Sequence, residues 1–550
     1  MAPESADVCP SCGHDLAQPN GFDSEPFRAQ AAAPPDDKRP WLIGAVVGAL
    51  VLVIGGLSFA LTKDQATGAE FRDRMPADVI SYIEIDIAQL LSDDSKLLVE
   101  QFGGMFEAAT GENFDVDTIV QDVIDSLDAE FATDFSYQDD LASWASGSIA
   151  IGILAEDDIL NPSFVVWVSG RDEAALSDFL GKVEGLAGAE GIELSRVTVD
   201  GVDFYATPTY LDQGRAAMVG QVGQDLLIVS SEATAESVLG LTPEESLLNA
   251  EGFSERIAGI PGDAIVTFAS NGTLGADLLG SAAVGAAPLP AHSSSLGWMV
   301  GSISVDSGNL RFDSATGIDP DSGFVMSEDS PAFAEMPADS IVFARLNGIA
   351  DGLRTLVYSV GPDVDDEVEA ITGITLDSIL ALFEVDAALA IWPSSEPEIP
   401  VGAAFVGVGG RDASPIVNQI NELLFAEGGL NATTIPGGYW YENLVAFGAR
   451  GPYTLVTTDR SLLAGTPAAS LTSGSVYQEA LDLIGSGYIP VFGADVDGVV
   501  DLIDGFINES EVLDALACNP VRFIAAGYQS DGKVARVVAV IEVEAPTGCG

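Results

Sequence analysis

The chain has 550 residues and a formal net charge of −63, from 84 acidic and 21 basic side chains. This length accommodates roughly two to four domains of about 150 residues each. A hydrophobic content of 47% argues against a mostly disordered chain, and so negative a surface repels the phosphates of nucleic acids. The acidity fits either a solvated coat, salt adaptation included, or the binding of cations or of a basic partner.

Residues 1–40 are rich in Pro, Ala, Asp and Ser, which predicts a flexible tail. In this tail Cys9 and Cys12 form a C-x-x-C pair followed by His14, and the segment resembles one knuckle of a bacterial zinc ribbon. A structural zinc ion needs four ligands, and Cys9 and Cys12 supply two, with His14 as a third candidate. Cys9 and Cys12 are therefore candidate zinc ligands of a site that this segment alone does not complete. The alternatives are completion by another chain, a degenerate remnant, and a ribbon whose other half was lost.

Residues 41–62 form an uncharged apolar stretch, which predicts a single transmembrane helix. As a helix the stretch would span about 33 Å, close to a hydrocarbon core of about 30 Å. The tail before it is too long for the first part of a cleaved secretory signal, and the stretch has no polar face typical of a core helix. Lys38 and Arg39 precede the stretch, with Arg28 further out, and Lys63 follows it, with Arg72 and Arg74 further out. This count leans weakly toward a cytoplasmic tail and an extracytoplasmic C-terminal region at the cell membrane.

Residues 63–74 form a linker to a region in which a series of motifs occurs twice. Met75-Pro-Ala-Asp recurs as Met336-Pro-Ala-Asp, each time before an apolar strand. Gly170-Arg-Asp recurs as Gly410-Arg-Asp, each time between a strand and a helix. Such a colinear series predicts a tandem duplication. The two predicted repeats cover residues 75–335 and 336–550.

Each repeat combines strand patterns with helix patterns. Val79–Asp86 and Leu226–Ser231 are short, β-branched segments bounded by turn residues, which is typical of strands. After Gly-Arg-Asp the apolar residues follow helical spacing, and Asp172 and Asp412 can cap these two helices. Each repeat ends in a predicted hairpin, which implies antiparallel pairing. The predicted fold is α+β: a tandem duplication of a mixed, mainly antiparallel sheet with helices on one face.

Cys518 and Cys549 flank the last predicted hairpin. Antiparallel pairing brings the two ends of a hairpin together, so this pair is a candidate disulfide that would fasten the C-terminus. A disulfide there suits an oxidising compartment outside the cell, whereas a C-x-x-C in the tail suits a reducing one.

Three motifs carry a resemblance to a known family. They are Met-Pro-Ala-Asp before an apolar strand, Leu141-Ala-Ser-Trp144-Ala-Ser-Gly147 leading into an apolar strand, and Gly-Arg-Asp opening a helix. Over most of the region after the anchor, the chain resembles the uncharacterised bacterial family catalogued as domain of unknown function 3352. The resemblance implies a membrane-anchored extracytoplasmic protein and supplies no reaction, ligand or catalytic residue.

Familiar catalytic patterns are missing from the sequence. His292 is the only histidine outside the tail, and the sequence has no P-loop, nucleophile elbow or H-E-x-x-H motif. We therefore assign no catalytic or cofactor-binding residue, and zinc at Cys9 and Cys12 is the one cofactor considered. The prediction is a binding or envelope-interaction module that recognises an unidentified envelope protein or ligand between its repeats. The alternative is an extracytoplasmic hydrolase that uses paired carboxylates.

Overall fold

Twenty β-strands form one continuous sheet in the described part of the chain, and every pairing between them is antiparallel. This agrees with the predicted α+β class with a mainly antiparallel sheet. In the computed structural model, the described residues are 71–86, 143–154, 163–189, 194–206, 217–272, 297–318, 326–346, 364–396, 399–426, 431–442, 444–504 and 519–544, with short pieces around 89–97 and 348–354.

The strands are rich in Val, Ile and Ala, and several are joined by tight turns that use glycine. In two hairpin turns Gly308 and Gly532 adopt φ angles of 85° and 86°, which glycine tolerates at little steric cost. The strands of the first half are β1 (Val79–Asp86), β2 (Ala145–Leu154), β3 (Ser163–Gly170), β4 (Ser195–Val199), β5 (Val202–Ala206), β6 (Met218–Val222), β7 (Asp225–Val229), β8 (Val266–Asn271), β9 (Trp298–Asp306) and β10 (Asn309–Gly317). Those of the second half are β11 (Val342–Arg345), β12 (Asp386–Glu396), β13 (Ile399–Val408), β14 (Ala432–Ile435), β15 (Gly438–Tyr441), β16 (Val445–Arg450), β17 (Tyr453–Thr457), β18 (Ile489–Asp495), β19 (Val521–Ser530) and β20 (Val534–Val543).

The described α-helices lie in the connections between these strands. The first, α1, follows Gly-Arg-Asp as predicted, and Asp172 Oδ1 accepts hydrogen bonds from the backbone N–H groups of Ala174 (2.9 Å) and Ala175 (3.0 Å) at its start. The helices are α1 (Glu173–Ala189), α2 (Glu232–Leu239), α3 (Phe253–Ile257), α4 (Val364–Thr372), α5 (Leu376–Leu380), α6 (Ser414–Ala426), α7 (Ser461–Ala464), α8 (Ser475–Ile484) and α9 (Val496–Asp504).

The two halves have the same order of strand pairing. The first half runs β4-β5-β6-β7-β3-β2-β1-β8-β9-β10 across the sheet. In the second half each strand is replaced by the one numbered ten higher, from β14 to β20. Strand β10 then pairs with β20, from Leu310 opposite Ile541 to Gly317 opposite Val534, so the halves share one sheet. The predicted hairpins at the end of each repeat are confirmed as β9–β10 and β19–β20.

Helices pack on both faces of the sheet, so the expectation of helices on one face is wrong. On β16, Ala446 packs with Leu463 of α7, whereas its neighbour Phe447 packs with Val417 of α6. Successive side chains of a strand point to opposite faces, so α6 and α7 lie on opposite sides of β16. The prediction failed because both residues of this pair are apolar, and the strand does not alternate between apolar and polar positions.

The main hydrophobic cores lie on one side of the sheet, which carries Tyr82, Val300 and Val538; we call it the core face and the opposite side the far face. In the first half the Phe71 ring stacks on Trp167, with centroids 5.7 Å apart. A separate core in the second half is built around Phe343 and includes Trp392, Leu463 and Ile484. Burying each such aromatic ring contributes roughly 1.5–3 kcal/mol, so each half has its own stabilising core.

None of the described helices is both long and apolar enough to cross a membrane. The predicted anchor, 41–62, lies outside the described residues, as do the tail 1–40 and the linker 63–70. Cys9, Cys12, His292, Cys518 and Cys549 also lie outside them. The zinc site, the disulfide and the membrane topology therefore stay predictions.

Candidate functional site: two rows of side chains on the central strands

The centre of the sheet is where the structure concentrates unusual side chains, near the junction of β10 and β20. On the core face, Glu84, Thr267, Ser302 and Asp313 are paired in register across β1, β8, β9 and β10. All four are buried. We call these four residues the polar row. Burial of polar groups costs free energy unless they are hydrogen-bonded. Whether the polar row stabilises or destabilises the fold therefore depends on the hydrogen-bond partners of its four side chains.

Two arginines neutralise the ends of the polar row. Arg72 Nε donates to Glu84 Oε2 at 2.8 Å, and Arg72 Nη2 donates to Thr267 Oγ1 at 3.4 Å. At the other end Arg311 binds Asp313 through Nε (2.8 Å) and Nη2 (2.9 Å), a bidentate geometry. The polar row is therefore a line of four buried polar side chains, with an ion pair at each end and two uncharged hydroxyl groups between them.

The middle of the row is less well satisfied. Ser302 is 0% exposed, and its Oγ has no hydrogen-bond partner within the described part of the chain. Native proteins contain few such groups, and each calls for an explanation such as a function or an ordered water molecule.

Burial governs the proton affinities at the row. Burial raises the pKa of Glu84, and the nearby Arg72 opposes that effect. Burial also raises the pKa of Tyr82 well above its usual range, and the negative charge of Glu84 adds to it. From the second half, Tyr488 faces the other end, where burial and Asp313 raise its pKa. Both tyrosines are thus neutral at physiological pH and can act only as hydrogen-bonding groups.

At two positions of the polar row the second half has no polar side chain, whereas the position of Glu84 holds the buried Arg345. Counted along the ladders from Tyr82 and from its counterpart Phe343, Ser302 corresponds to Gly527 and Asp313 to Val538. The fold itself therefore does not require polar side chains at the positions of Ser302 and Asp313. Polar residues at core-facing strand positions that the fold does not need are expected at functional sites.

A second row lies on the far face of the same strands. Nine apolar residues are paired in register from β1 to β12, and all are half-buried. The residues of this apolar row are Ile85, Val266, Ile303, Phe312, Ala539, Ala526, Phe492, Ala344 and Leu389.

Two residues beside the apolar row are exposed, Ile83 at 39% and Val537 at 41%. Their neighbours on the core face, Tyr82 and Val538, are fully buried. An antiparallel sheet with one solvated face normally carries polar residues on that face, whereas here it carries Ile, Val, Ala and Phe. The apolar row is therefore a surface suited to contact with another apolar body.

Among the described residues, the buried carboxylates do not form the pair that a glycosidase uses. Among the described residues five Asp or Glu side chains are buried, and each forms an ion pair with an arginine. Glycosidases need two carboxyl groups facing one substrate, one of them able to donate a proton. The described residues also contain no group of three or more His, Cys, Asp or Glu side chains placed to hold a metal ion. The five pairs are Glu84–Arg72, Asp225–Arg74, Asp313–Arg311, Asp386–Arg345 and Glu335–Arg450.

The family model described as a protein of unknown function, DUF3352, matches residues 109–436, more than half of the chain. The chain belongs to the DUF3352 family. The resemblance noted in the sequence is thereby confirmed at the level of the family, whose description assigns no role to the polar row or the apolar row. None of the curated proteins compared with this DUF3352 member matches it.

Three solved structures resemble this DUF3352 chain distantly. Crystal forms IV, III and I of TP0453 are 10%, 10% and 11% identical to it, with TM-scores of 0.23, 0.25 and 0.24. The matches cover 45%, 47% and 48% of this chain and 79%, 83% and 83% of those chains. A likeness at this level supports no statement about function.

The sequence contained a signal for both rows that motif searching does not detect. Polar residues stand at core-facing positions of otherwise apolar strands, as in Glu84 of β1 and Ser302 of β9. The signal for the apolar row is the opposite one: β20 reads VARVVAVIEV, with apolar residues on both faces. The expectation of a surface between the repeats pointed to this region without naming a residue in it.

Proposed function

We propose that the chain is a single-pass membrane protein whose extracytoplasmic region is a non-enzymatic binding module, formed by tandem duplication, with the apolar row as its binding surface. The observation that carries the proposal is the line of half-buried apolar side chains across the centre of the sheet. The row is flanked by the exposed Ile83 and Val537, and contiguous apolar surface that water can reach is rare on soluble proteins and marks sites of interaction. The matching strand order of the two halves supports the duplication.

The charge of the chain strengthens this argument. A net charge of −63 shows that the rest of the surface is strongly hydrophilic. An apolar face maintained against that background lowers solubility and favours aggregation unless it has a partner. The hydrolase alternative has no comparable support, because the buried carboxylates of the described residues are all paired with arginine.

Binding of an environment-sensitive apolar dye tests the surface. The wild-type chain should enhance the fluorescence of bis-ANS while folded, and Val537→Asp and Ile83→Asp should each reduce the enhancement severalfold. Leu444→Asp is the matched control, because Leu444 is 57% exposed and lies outside the apolar row. Equal enhancement by all four proteins, with circular dichroism unchanged, would remove the apolar row as a binding surface.

The anchor and its orientation need a separate experiment. We expect the chain to stay in membranes after alkaline carbonate extraction and to leave them when 41–62 is deleted. With this orientation, a membrane-impermeant thiol reagent should label Cys9 and Cys12 only after permeabilisation. Chelator-sensitive zinc in the purified full chain would test the tail site. Extraction of the intact chain by carbonate would overturn the membrane assignment.

A further inference from the structure

The chemistry of the partner follows from three features of the apolar row, and this step rests on the proposed function. The first feature is that the backbone hydrogen-bonding groups of the strands under the row are already paired within the sheet. Strands β8, β9, β10, β20 and β19 are each paired on both sides, so no edge is open there for an added strand. A bound chain must therefore satisfy its own backbone hydrogen bonds, as an α-helix does.

The second feature is an acidic rim at one end of the same strands. Antiparallel order brings together the residues before β8, the β9–β10 turn, the end of β20 and the start of α9. Four carboxylates there are exposed, and we call Asp263, Asp306, Asp497 and Glu544 the acidic rim. Arg522 lies among them and pairs with Asp497 at 2.6 Å and with Glu544 at 3.6 Å.

The third feature is the extent of the row. The chain's own helix α9 packs against β19 and β18, where Asp497 pairs with Arg522, so the part of the row from β1 to β20 is the part to consider for a partner. Strands in a sheet lie about 4.8 Å apart, so these five strands span about 19 Å. At 1.5 Å per residue this length corresponds to a helix of about 13 residues.

From these features we propose that the apolar row and the acidic rim together dock an amphipathic helix of a partner protein, with Lys or Arg along the edges of its apolar stripe. Leucine-type side chains at i, i+3, i+4 and i+7 lie against the row, and the basic residues face the rim. A second copy of this chain is disfavoured because two bodies of charge −63 repel each other. Anionic lipid is disfavoured for the same reason.

The test uses the full chain in phosphatidylcholine nanodiscs and a fluorescent Leu/Lys helical peptide of about 18 residues, followed by anisotropy. We expect saturable binding that weakens with added salt, and no binding of a Leu/Glu peptide with the same pattern. Reversing charge at the rim, in Asp306→Lys, should weaken binding by about three- to tenfold. Leu444→Asp should bind like wild type.

Val537→Asp separates apolar docking from mere attraction between opposite charges. A purely electrostatic complex gains affinity when a negative charge is added, whereas docking on the row should lose at least about tenfold. Unchanged or tighter binding by Val537→Asp would overturn the proposal. If the peptide fails to bind while the dye or neutral lipid vesicles bind at the row, the helix is the wrong partner and the proposed function stands. If none of the three binds, the proposed function fails as well.

Discussion

Replacing Ser302 with alanine should stabilise the protein, although the residue lies in the middle of the sheet. Ser302 is 0% exposed, and its Oγ has no hydrogen-bond partner within the described residues. A buried hydroxyl that is left unpaired costs about 1–3 kcal/mol, and Ser302→Ala removes it while keeping the Cβ atom. We therefore expect the free energy of unfolding to rise by about 1–2 kcal/mol.

Ser230→Ala provides the matched control. Ser230 is equally buried, at 3% exposure, but its Oγ accepts a hydrogen bond from the backbone N–H of Phe164 at 3.1 Å and lies 3.2 Å from Thr234 Oγ1. Removing this oxygen leaves partners unsatisfied, so Ser230→Ala should lower the free energy of unfolding by about 1–2 kcal/mol. The same chemical change thus has opposite signs at the two sites.

Urea unfolding followed by tryptophan fluorescence measures both effects, provided that the slope of the free energy against urea concentration does not change. A Ser302→Ala variant as destabilised as Ser230→Ala would refute the argument. It would mean that the Ser302 hydroxyl is hydrogen-bonded in solution, for example to an ordered water molecule. The polar row would then be a satisfied network and no longer a candidate site.

Three further substitutions test the forces that hold the fold. Asp386→Ala should lower the urea midpoint by the equivalent of about 3–5 kcal/mol, because it leaves Arg345 buried without a counter-charge (both side chains are 1% exposed). The double variant Arg345→Met/Asp386→Leu should recover part of the loss, since Ser330 and the Ala332 N–H still lack their acceptor. Burial, and after it the negative charge of Glu542, raise the pKa of Glu479 in the folded protein. The charged carboxylate therefore destabilises the folded protein at pH values above this raised pKa, and the effect disappears below the pKa of the unfolded chain, about 4.3. In thermal melts Glu479→Gln should therefore stabilise by up to about 0.5 kcal/mol at neutral pH and have no effect near pH 3.5, since the group is largely exposed; an equal gain at both pH values would contradict this. Gly181→Ala, in the middle of α1 with open space around its Cα, should raise the thermal midpoint by the equivalent of about 0.5–1 kcal/mol, and a decrease would contradict the helix assignment.

Local elements of the fold could be predicted because each depends on a few neighbouring residues. The strand Val79–Asp86 follows from β-branched residues between turn residues, the helix after Gly-Arg-Asp from helical spacing, and the cap from the Asp172 carboxylate, which accepts from the first turn. The partners of each strand could not be predicted. Alternation tells which face a side chain occupies, whereas the pairing of β1 with β8 joins residues such as Glu84 and Thr267 that are far apart in sequence.

The candidate site escaped prediction for the same reason. Each member of the polar row comes from a different strand, and alone each is an ordinary polar residue in an apolar segment. Only the register of β1, β8, β9 and β10 shows that Glu84, Thr267, Ser302 and Asp313 form a line. Comparison with Gly527 and Val538 in the second half then shows that the fold does not require two of them.

The central strands carry exceptions, on both faces, to the usual rule that buried positions are apolar and more exposed positions are polar. Their buried core-face positions hold Glu84 and Asp313, and their far-face positions hold half-buried residues such as Ile303 and Phe312. Either exception alone could be a local accident of packing, since natural cores tolerate a few polar groups. Both occur on the same strands, next to the pairing of β10 with β20 that joins the two halves, and the fold of the second half shows that neither Ser302 nor Asp313 is needed there for assembly. Because stability alone would favour the opposite arrangement on both faces, selection for binding is the simplest physical reason for keeping it.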